Sequence, residues 1–162
     1  MKLRTPALPL SDPAGMLATW FGVGLMRYAP GTWGSFAALP LAWLLFYLGG
    51  TWLLAVGTVV VSLVGWWAAE RYIRAHGTED PGDVVIDEVA GQWLTLLPAG
   101  GDIGLMAAGF VLFRIADILK PWPAGWADRH IKGGLGTMVD DLLAAIWSGL
   151  AVLGLRLAFG GF

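Results

Sequence analysis

"YAPGTWGSFAALPLAWLLFYLGGTWLLAVGTVVVSLVGWWAA", residues 28–69, contains no charged side chain over 42 consecutive positions. One bilayer crossing needs about 20 consecutive apolar residues, so this stretch is long enough for two crossings joined at Gly49-Gly50. The core helix of a soluble protein does not require so long an uncharged run. The stretch therefore predicts an integral membrane protein built from helices.

The composition of the whole chain agrees with a membrane protein and excludes several functional classes. Hydrophobic residues make up 57% of the 162 positions, against about 45–50% in an ordinary soluble domain. The net charge is −2 and no basic stripe is visible, so nucleic-acid binding is not expected. The chain has no cysteine, which excludes disulfides, thiolate metal sites and the mechanism of the cysteine-dependent phosphatases.

Glycine and proline turns divide the chain into the helices of one all-α domain, covering residues 1–162. No internal repeat, low-complexity tract or linker interrupts it. Thr32 and Ser35 are each available as the N-cap of the second helix. The predicted helices lie at residues 13–25, 34–48, 51–69, 84–98, 103–120 and 138–158, and the loop 120–136 has room for one short interfacial helix.

The lysines and arginines predict the orientation of these helices in the membrane. If 13–25 lies in the inner interface and the five later helices cross, nine of the ten basic residues face the cytoplasm and only Arg156 faces outward. Of the acidic residues, only Asp102 then falls on the outer side. As helices, 34–48 and 84–98 span only about 22 Å, less than a hydrocarbon core of about 30 Å. Whether 84–98 crosses completely therefore stays open.

Two pairs of adjacent carboxylates, Asp87-Glu88 and Asp140-Asp141, stand where apolar runs begin, and the predicted topology brings both pairs to the cytoplasmic face. Carboxylates at hydrocarbon depth cost several kcal/mol unless they are paired or bind a metal, which favours a functional site. Oxygen ligands without cysteine suit Mg²⁺ or Ca²⁺ better than zinc. The pairs therefore predict a divalent metal site for phosphate chemistry.

Each of these features also has a purely structural alternative. Either carboxylate pair could occupy the first turn of a helix because the macrodipole favours negative charge there. Arg114 and Asp117 are three residues apart, which is also the spacing of an intrahelical ion pair. In "PGTWGS" (30–35), Thr32 and Ser35 could bind an anion at a helix start or form only a turn and cap. "KGGLG" (132–136) could embrace a phosphate or be a flexible connection.

Four segments in a fixed order closely resemble the phosphatidylglycerophosphatase A family. They are "PGTWGS" (30–35), "VVIDEVAGQW" (84–93), "FRIADILKPWP" (113–123) and "GGLGTMVDDLLAA" (133–145). The resemblance covers most of the chain, from about residue 21 to residue 145. It implies a multi-pass enzyme of the bacterial inner membrane, with a central helix surrounded by others and an active site facing the cytoplasm. The implied reaction is Mg²⁺-dependent removal of the terminal phosphate from phosphatidylglycerophosphate, giving phosphatidylglycerol.

The resemblance also implies site residues. Asp87, Glu88, Asp140 and Asp141 are the expected catalytic groups, holding Mg²⁺ and activating water. Asp83 matches no motif position, and no role is assigned to His130 or Lys132. The remaining acidic positions are Asp80, Asp117 and Asp128, of which Asp80 and Asp117 join the metal set, and the predicted phosphate-binding residues are Arg114, Lys120, Arg129, Thr32 and Ser35.

Three other functions remain open at the level of the sequence. A related phosphatase acting on another lipid or isoprenoid phosphate would differ only in the shape of its pocket. An ion-coupled transporter would place its carboxylates near mid-bilayer and commonly contains inverted repeats, neither of which is visible. A non-catalytic membrane adaptor would not require converging acids and bases. A carboxylate nucleophile in place of direct attack by water also stays open, as does the oligomeric state.

Overall fold

The computed structural model describes residues 4–78 and 81–159, and every regular element within them is helical. The predicted all-α fold is therefore confirmed. The helices are α1 (Pro13–Ala18), α2 (Pro30–His76), α3 (Ile86–Leu96), α4 (Ile103–Leu119), α5 (Ala124–His130) and α6 (Gly133–Phe159), with 3-10 turns at Val23–Leu25 and Leu97–Ala99.

The long helix α2 consists of two arms separated by Gly49 and Gly50, whose backbone angles are not helical. A Cβ atom built on Gly57 would lie 2.9 Å from Leu45 Cδ1, so the two arms lie side by side near this break. The predicted division into two helices at the glycine pair is confirmed. Only a chain reversal at the glycines can bring residues twelve positions apart into such contact, because a straight helix would separate them by about 18 Å.

The ends of α2 differ from the predicted ends. The helix begins at Pro30, because proline is well suited to a first helical position, so Thr32 and Ser35 lie inside it and the predicted N-cap is wrong. It continues to His76, beyond the predicted end at residue 69, because Tyr72 and Ile73 are buried. A Glu70–Arg74 ion pair of 2.8 Å adds to this last part.

The central helix is α3, in which nine of the eleven residues are buried. It packs against α2, α4 and α6. Gly91 allows this close packing, because a Cβ there would lie 2.6 Å from the ring of Phe113 on α4. On the opposite side, Trp93 Nε1 donates a hydrogen bond of 2.9 Å to the carbonyl oxygen of Ala38 in α2.

The last helix, α6, begins at Gly133, five residues before the predicted start at 138. Its first turn is held against the end of α2, where the N–H of Gly134 donates to Glu70 Oε2 at 2.8 Å. A Cβ on Gly134 would lie 2.4 Å from the backbone nitrogen of Glu70. A contact with a residue 64 positions away therefore sets the start of α6, which explains why local sequence patterns misplaced it.

The helix ends form two groups. The starts of α2, α3 and α6 meet the end of α4 at one end of the bundle, as the shared cavity described below shows. At the other end, Arg156 Nη1 donates to the carbonyl oxygen of Pro98 at 2.9 Å. A Cβ on Gly101 would lie 2.4 Å from the Phe46 ring at that same end. Arg156 is thus separated from the group at which the functional motifs converge.

Two helices, α2 and α6, are long and apolar enough to cross a membrane by length and composition. Only 17% and 22% of their most apolar windows are buried inside the protein. By contrast, α3 spans only about 16 Å and α4 about 26 Å at the rise of an α-helix. The structure thus leaves the apolar faces of its two long helices uncovered, while the shorter helix α3 is enclosed.

We expect Trp93→Phe to lower the free energy of unfolding by about 1–3 kcal/mol. The substitution removes the buried hydrogen bond to Ala38 and shrinks an edge-to-face contact with Trp20, whose ring centroid is 6.1 Å away. Trp52→Phe is the matched control, because Trp52 is 79% exposed, and we expect it to change stability by less than about 0.5 kcal/mol. Denaturant unfolding of the two purified variants compares them; equal losses would contradict this role of Trp93.

Candidate active site

A cavity of about 500 Å³ lies at the end of the bundle where α2, α3 and α6 begin and α4 ends. Its lining combines six carboxylates with three cationic side chains, while Ala29, Pro30, Val84 and Ile131 supply apolar surface. The charged lining residues are Asp87, Glu88, Asp117, Asp128, Asp140, Asp141, Arg114, Lys120 and Lys132.

Three of these carboxylates form a compact cluster. Asp87 and Glu88 come from the first turn of α3, and Asp141 comes from α6. One oxygen atom of each lies within 4.8 Å of the others. Asp87 is 9% exposed and Asp141 is 3% exposed, so little water screens their mutual repulsion.

Several oxygen atoms of this cluster are buried and have no hydrogen-bond partner among the described residues. They are Asp87 Oδ1, Glu88 Oε2 and Asp141 Oδ2, joined by Oδ1 of the neighbouring Asp140. An unsatisfied buried polar group costs about 1–3 kcal/mol, and more when it is charged. These atoms point to a cation, because hard carboxylate oxygens in a close group are the donor set that Mg²⁺ and Ca²⁺ prefer. The residues present therefore fit a divalent metal.

The purely structural explanation of Asp140-Asp141, a favourable interaction with the helix macrodipole, requires both residues to lie in the first turn of a helix. Because α6 begins at Gly133, the two residues lie about two turns inside it. The helix macrodipole acts mainly within the first turn, so it does not account for their burial. Asp87 and Glu88 do lie in the first turn of α3, where the macrodipole also favours them.

Arg114, which is 16% exposed, reaches the cluster from α4. Its Nη1 atom lies 2.5 Å from Asp117 Oδ2 and 3.7 Å from Glu88 Oε1. The predicted intrahelical pair of Arg114 and Asp117 is therefore present, and the same guanidinium also faces a residue of the carboxylate cluster. Gly31 makes room for this arrangement, because a Cβ there would lie 2.0 Å from Glu88 Oε1.

Lys120 links three elements at the side of the cavity. It follows the last residue of α4 in a left-handed backbone conformation, with φ of 45°. Its ammonium group donates to Asp128 of α5 and, at 2.5 Å, to Asp140 Oδ2 of α6. Burial opposes its charge, but these two carboxylates raise the pKa of Lys120 above its usual value. The hydrogen bond from Lys120 in turn lowers the pKa of Asp128.

The structure brings most of the predicted site residues together, but not all of them. Thr32, Ser35 and Arg129 do not line the cavity. Ser35 is fully buried and its hydroxyl donates to the carbonyl oxygen of Gly31 at 2.9 Å, whereas Arg129 is exposed on α5. Asp80 lies outside the described residues.

Two cavity residues were not assigned to the site from the sequence. Lys132 lines the cavity beside Gly133, and Thr137 lines it one turn further along α6. The glycine-rich run after Lys132 was an available signal, because small residues allow a ligand to approach the backbone. Nothing in the local pattern singles out Thr137, whose hydroxyl donates to the carbonyl oxygen of Gly133 at 3.2 Å.

The fold and the cavity together define an all-helical protein whose buried carboxylates and facing cations suit the chemistry of phosphate esters. Comparison with known proteins agrees, because residues 16–156 match the family described as Phosphatidylglycerophosphatase A. The chain belongs to this family and is a phosphatase.

Three relatives cover most of their own length and most of this chain. Phosphatidylglycerophosphatase A of Escherichia coli is 42% identical over 87% of this chain and 82% of its own. Phosphatidylglycerophosphatase A of Haemophilus influenzae is 36% identical over 92% of both. A protein of Bacteroides thetaiotaomicron named "Putative phosphatidylinositol-3-phosphatase" is 36% identical over 90% of this chain and 94% of its own. No solved structure matches the chain.

We expect Gly31→Ala to reduce phosphatase activity by about tenfold or more without destabilising the protein. The new methyl group would displace the Glu88 carboxylate, and displacements of about 1 Å in an active site can cost this much or more. In the helix itself, alanine is preferred to glycine by about 1 kcal/mol. Phosphate release and thermal unfolding, measured on the same preparation, separate the two effects.

Gly154→Ala is the matched control for this prediction. It makes the same change inside α6, where a new Cβ would have no neighbour within 4 Å, and should leave activity unchanged. Full activity in Gly31→Ala would show that the close approach of Gly31 to Glu88 has no part in the reaction.

Proposed function

We propose that this phosphatase hydrolyses the terminal phosphomonoester of phosphatidylglycerophosphate to phosphatidylglycerol and phosphate, and that the reaction requires Mg²⁺. The observation that carries the proposal is the cluster of Asp87, Glu88 and Asp141 in a cavity that also holds three cations. In each of these three residues, one oxygen is buried without a hydrogen-bond partner among the described residues. The names of the relatives from Escherichia coli and Haemophilus influenzae support this choice of substrate.

The charge of the cavity supports the requirement for a metal. Its lining holds six acidic groups and three basic ones, so without further cations it would repel a phosphate dianion. Asp87, Glu88 and Asp141 are the residues that would hold Mg²⁺, with Asp140 and Asp117 next to them. When bound, Mg²⁺ supplies charge neutralisation at phosphate and activation of water.

The other charged groups can act directly on the substrate and on water. Arg114 donates to the oxygens of the reacting phosphate, where negative charge must be stabilised during transfer, and Lys120 offers a second cation to the phosphates of the headgroup. Asp140 accepts from Lys120 through one oxygen, while its Oδ1 is buried, has no partner in the part of the chain that the structure describes, and can accept a proton from water. An aspartyl-phosphate intermediate is the competing route, and labelled phosphate remaining on the protein after rapid quenching would establish it.

We also propose that the enzyme is a multi-pass protein of the bacterial inner membrane, with its cavity facing the cytoplasm. The exposed faces of the apolar helices support insertion, since large side chains such as Trp43, Val59 and Leu63 lie on the surface. The orientation rests on charge, because lysines and arginines collect at the cavity end and Arg156 lies at the other. The short α3 then lies within the protein and need not span the bilayer itself.

The main alternative substrate is another lipid phosphomonoester. The name of the Bacteroides thetaiotaomicron relative points to an inositol lipid, so phosphatidylinositol 3-phosphate belongs in any comparison of substrates. Release from that lipid alone would keep the chemistry of the site and replace the substrate.

We expect Asp87→Asn to abolish Mg²⁺-dependent release of phosphate from phosphatidylglycerophosphate in detergent micelles, with a loss of at least about a hundredfold. Asparagine keeps the size of the side chain but removes the charge that holds the cation. Asp102→Asn is the matched control, since Asp102 caps α4 at the other end of the bundle and asparagine caps equally well. Wild-type activity that is indifferent to Mg²⁺ and its chelation would refute the metal requirement.

Single cysteines test the orientation, because the natural chain has none. Thr78 follows α2 at the cavity end, and Ile103 begins α4 at the other end, where its side chain is 74% exposed. In intact cells, a membrane-impermeant maleimide should label Ile103→Cys but not Thr78→Cys, and lysis should expose both. The opposite labelling pattern would reverse the proposed orientation.

A further inference from the structure

We propose that Lys132, together with Lys120, forms a second anion subsite at the rim of the cavity, and that this subsite binds the phosphodiester of the lipid headgroup. The inference rests on the proposed function and deepens it. It makes Lys132 a substrate-binding residue that determines headgroup specificity, separate from the groups that act on the reacting phosphate.

The charged groups of the cavity are arranged by depth. At the bottom, Asp87 and Asp141 are 9% and 3% exposed. At the rim, the side chains of Lys120 and Asp128 are 30% and 41% exposed, and Lys132 is exposed. A substrate whose monoester reaches the deep carboxylates and their cation therefore places its next polar group among the rim lysines.

The two rim lysines approach the cavity from different elements. Lys120 ends α4, while Lys132 immediately precedes α6, and both act electrostatically on Asp128, which lies between them in sequence. A lysine ammonium has three N–H donors, and the two carboxylate contacts of Lys120 leave it a third for a ligand. Gly133 and Gly136 line the same cavity, so backbone forms part of its wall beside Lys132.

The chemistry of the substrate explains why two anion sites are needed. In phosphatidylglycerophosphate, one glycerol separates the terminal monoester from the diester that leads to the acyl chains. The deep site recognises the terminal phosphate group. Every lipid phosphomonoester carries this group, so the deep site alone cannot distinguish one such lipid from another. A cation at the rim of the same cavity selects lipids that carry a diester as well.

The test compares Lys132→Gln with Arg74→Gln, its control. Arg74 is 77% exposed in the last turn of α2, at the same end of the bundle, and does not line the cavity, so both variants lose one surface charge at that end. For Lys132→Gln we expect kcat/KM on phosphatidylglycerophosphate to fall about tenfold, mainly through KM, because one charge-assisted contact to the substrate is lost. Arg74→Gln should stay within about twofold of wild type, and Lys132→Arg should recover most of the loss.

Inhibition by two soluble probes then separates the rim from the deep site. Glycerophosphoglycerol carries only the diester, and inorganic phosphate imitates only the monoester. In Lys132→Gln the inhibition constant of glycerophosphoglycerol should rise at least about fivefold, while that of inorganic phosphate stays within about twofold of the wild-type value.

Each other outcome has a distinct meaning. Equal weakening of both probes, or an equal loss in Arg74→Gln, would overturn the subsite and leave a general electrostatic effect. Unchanged kinetics in Lys132→Gln would also overturn it. A wild-type enzyme that releases no phosphate from phosphatidylglycerophosphate would instead refute the proposed function on which the inference rests.

Discussion

The burial of four carboxylates at one end of a helical bundle is the constraint on which the rest of this structure depends. Asp87, Glu88, Asp140 and Asp141 are brought together with little water to screen them, and one oxygen of each has no hydrogen-bond partner within residues 4–78 and 81–159. Such a cluster is costly unless cations offset it. Arg114 and Lys120 approach from α4 and offset part of the negative charge. The negative charge that remains suits the site to a divalent metal, and through that metal to an anionic substrate.

Small residues make this convergence possible, because the helices must approach closely for their carboxylates to meet. Gly31 leaves space for Glu88, Gly91 lets α3 contact α4, and Gly134 brings the start of α6 against the end of α2. A side chain at Gly91 or Gly134 would separate two of the helices that build the cavity, whereas one at Gly31 would displace the Glu88 carboxylate. The glycines near the motifs are therefore part of the construction of the site and not merely turns between helices.

Much of the fold was predictable because its signals are local. The uncharged run at residues 28–69 and the glycine pair at 49–50 predicted the two arms of α2, and both signals depend only on neighbouring residues. The start of α6 was not predictable in this way, because the contact of Gly134 with Glu70 fixes it from 64 positions away. Thr32 and Ser35 were wrongly predicted as N-caps for a related reason, since a hydroxyl near a helix start has the same local pattern whether it caps the helix or, like Ser35, bonds within it.

The sequence by itself determined the helical class, the family and the identity of the charged residues, because these follow from composition and from motifs that are contiguous in the chain. Only the tertiary structure decided which of those residues share a cavity, placing Lys132 in its wall and leaving Arg129 outside. The two residues are three positions apart and carry the same charge, so no local pattern distinguishes them. Their difference arises because Arg129 belongs to α5, whereas Lys132 directly precedes α6, and the direction in which α6 leaves is set by its packing against α2.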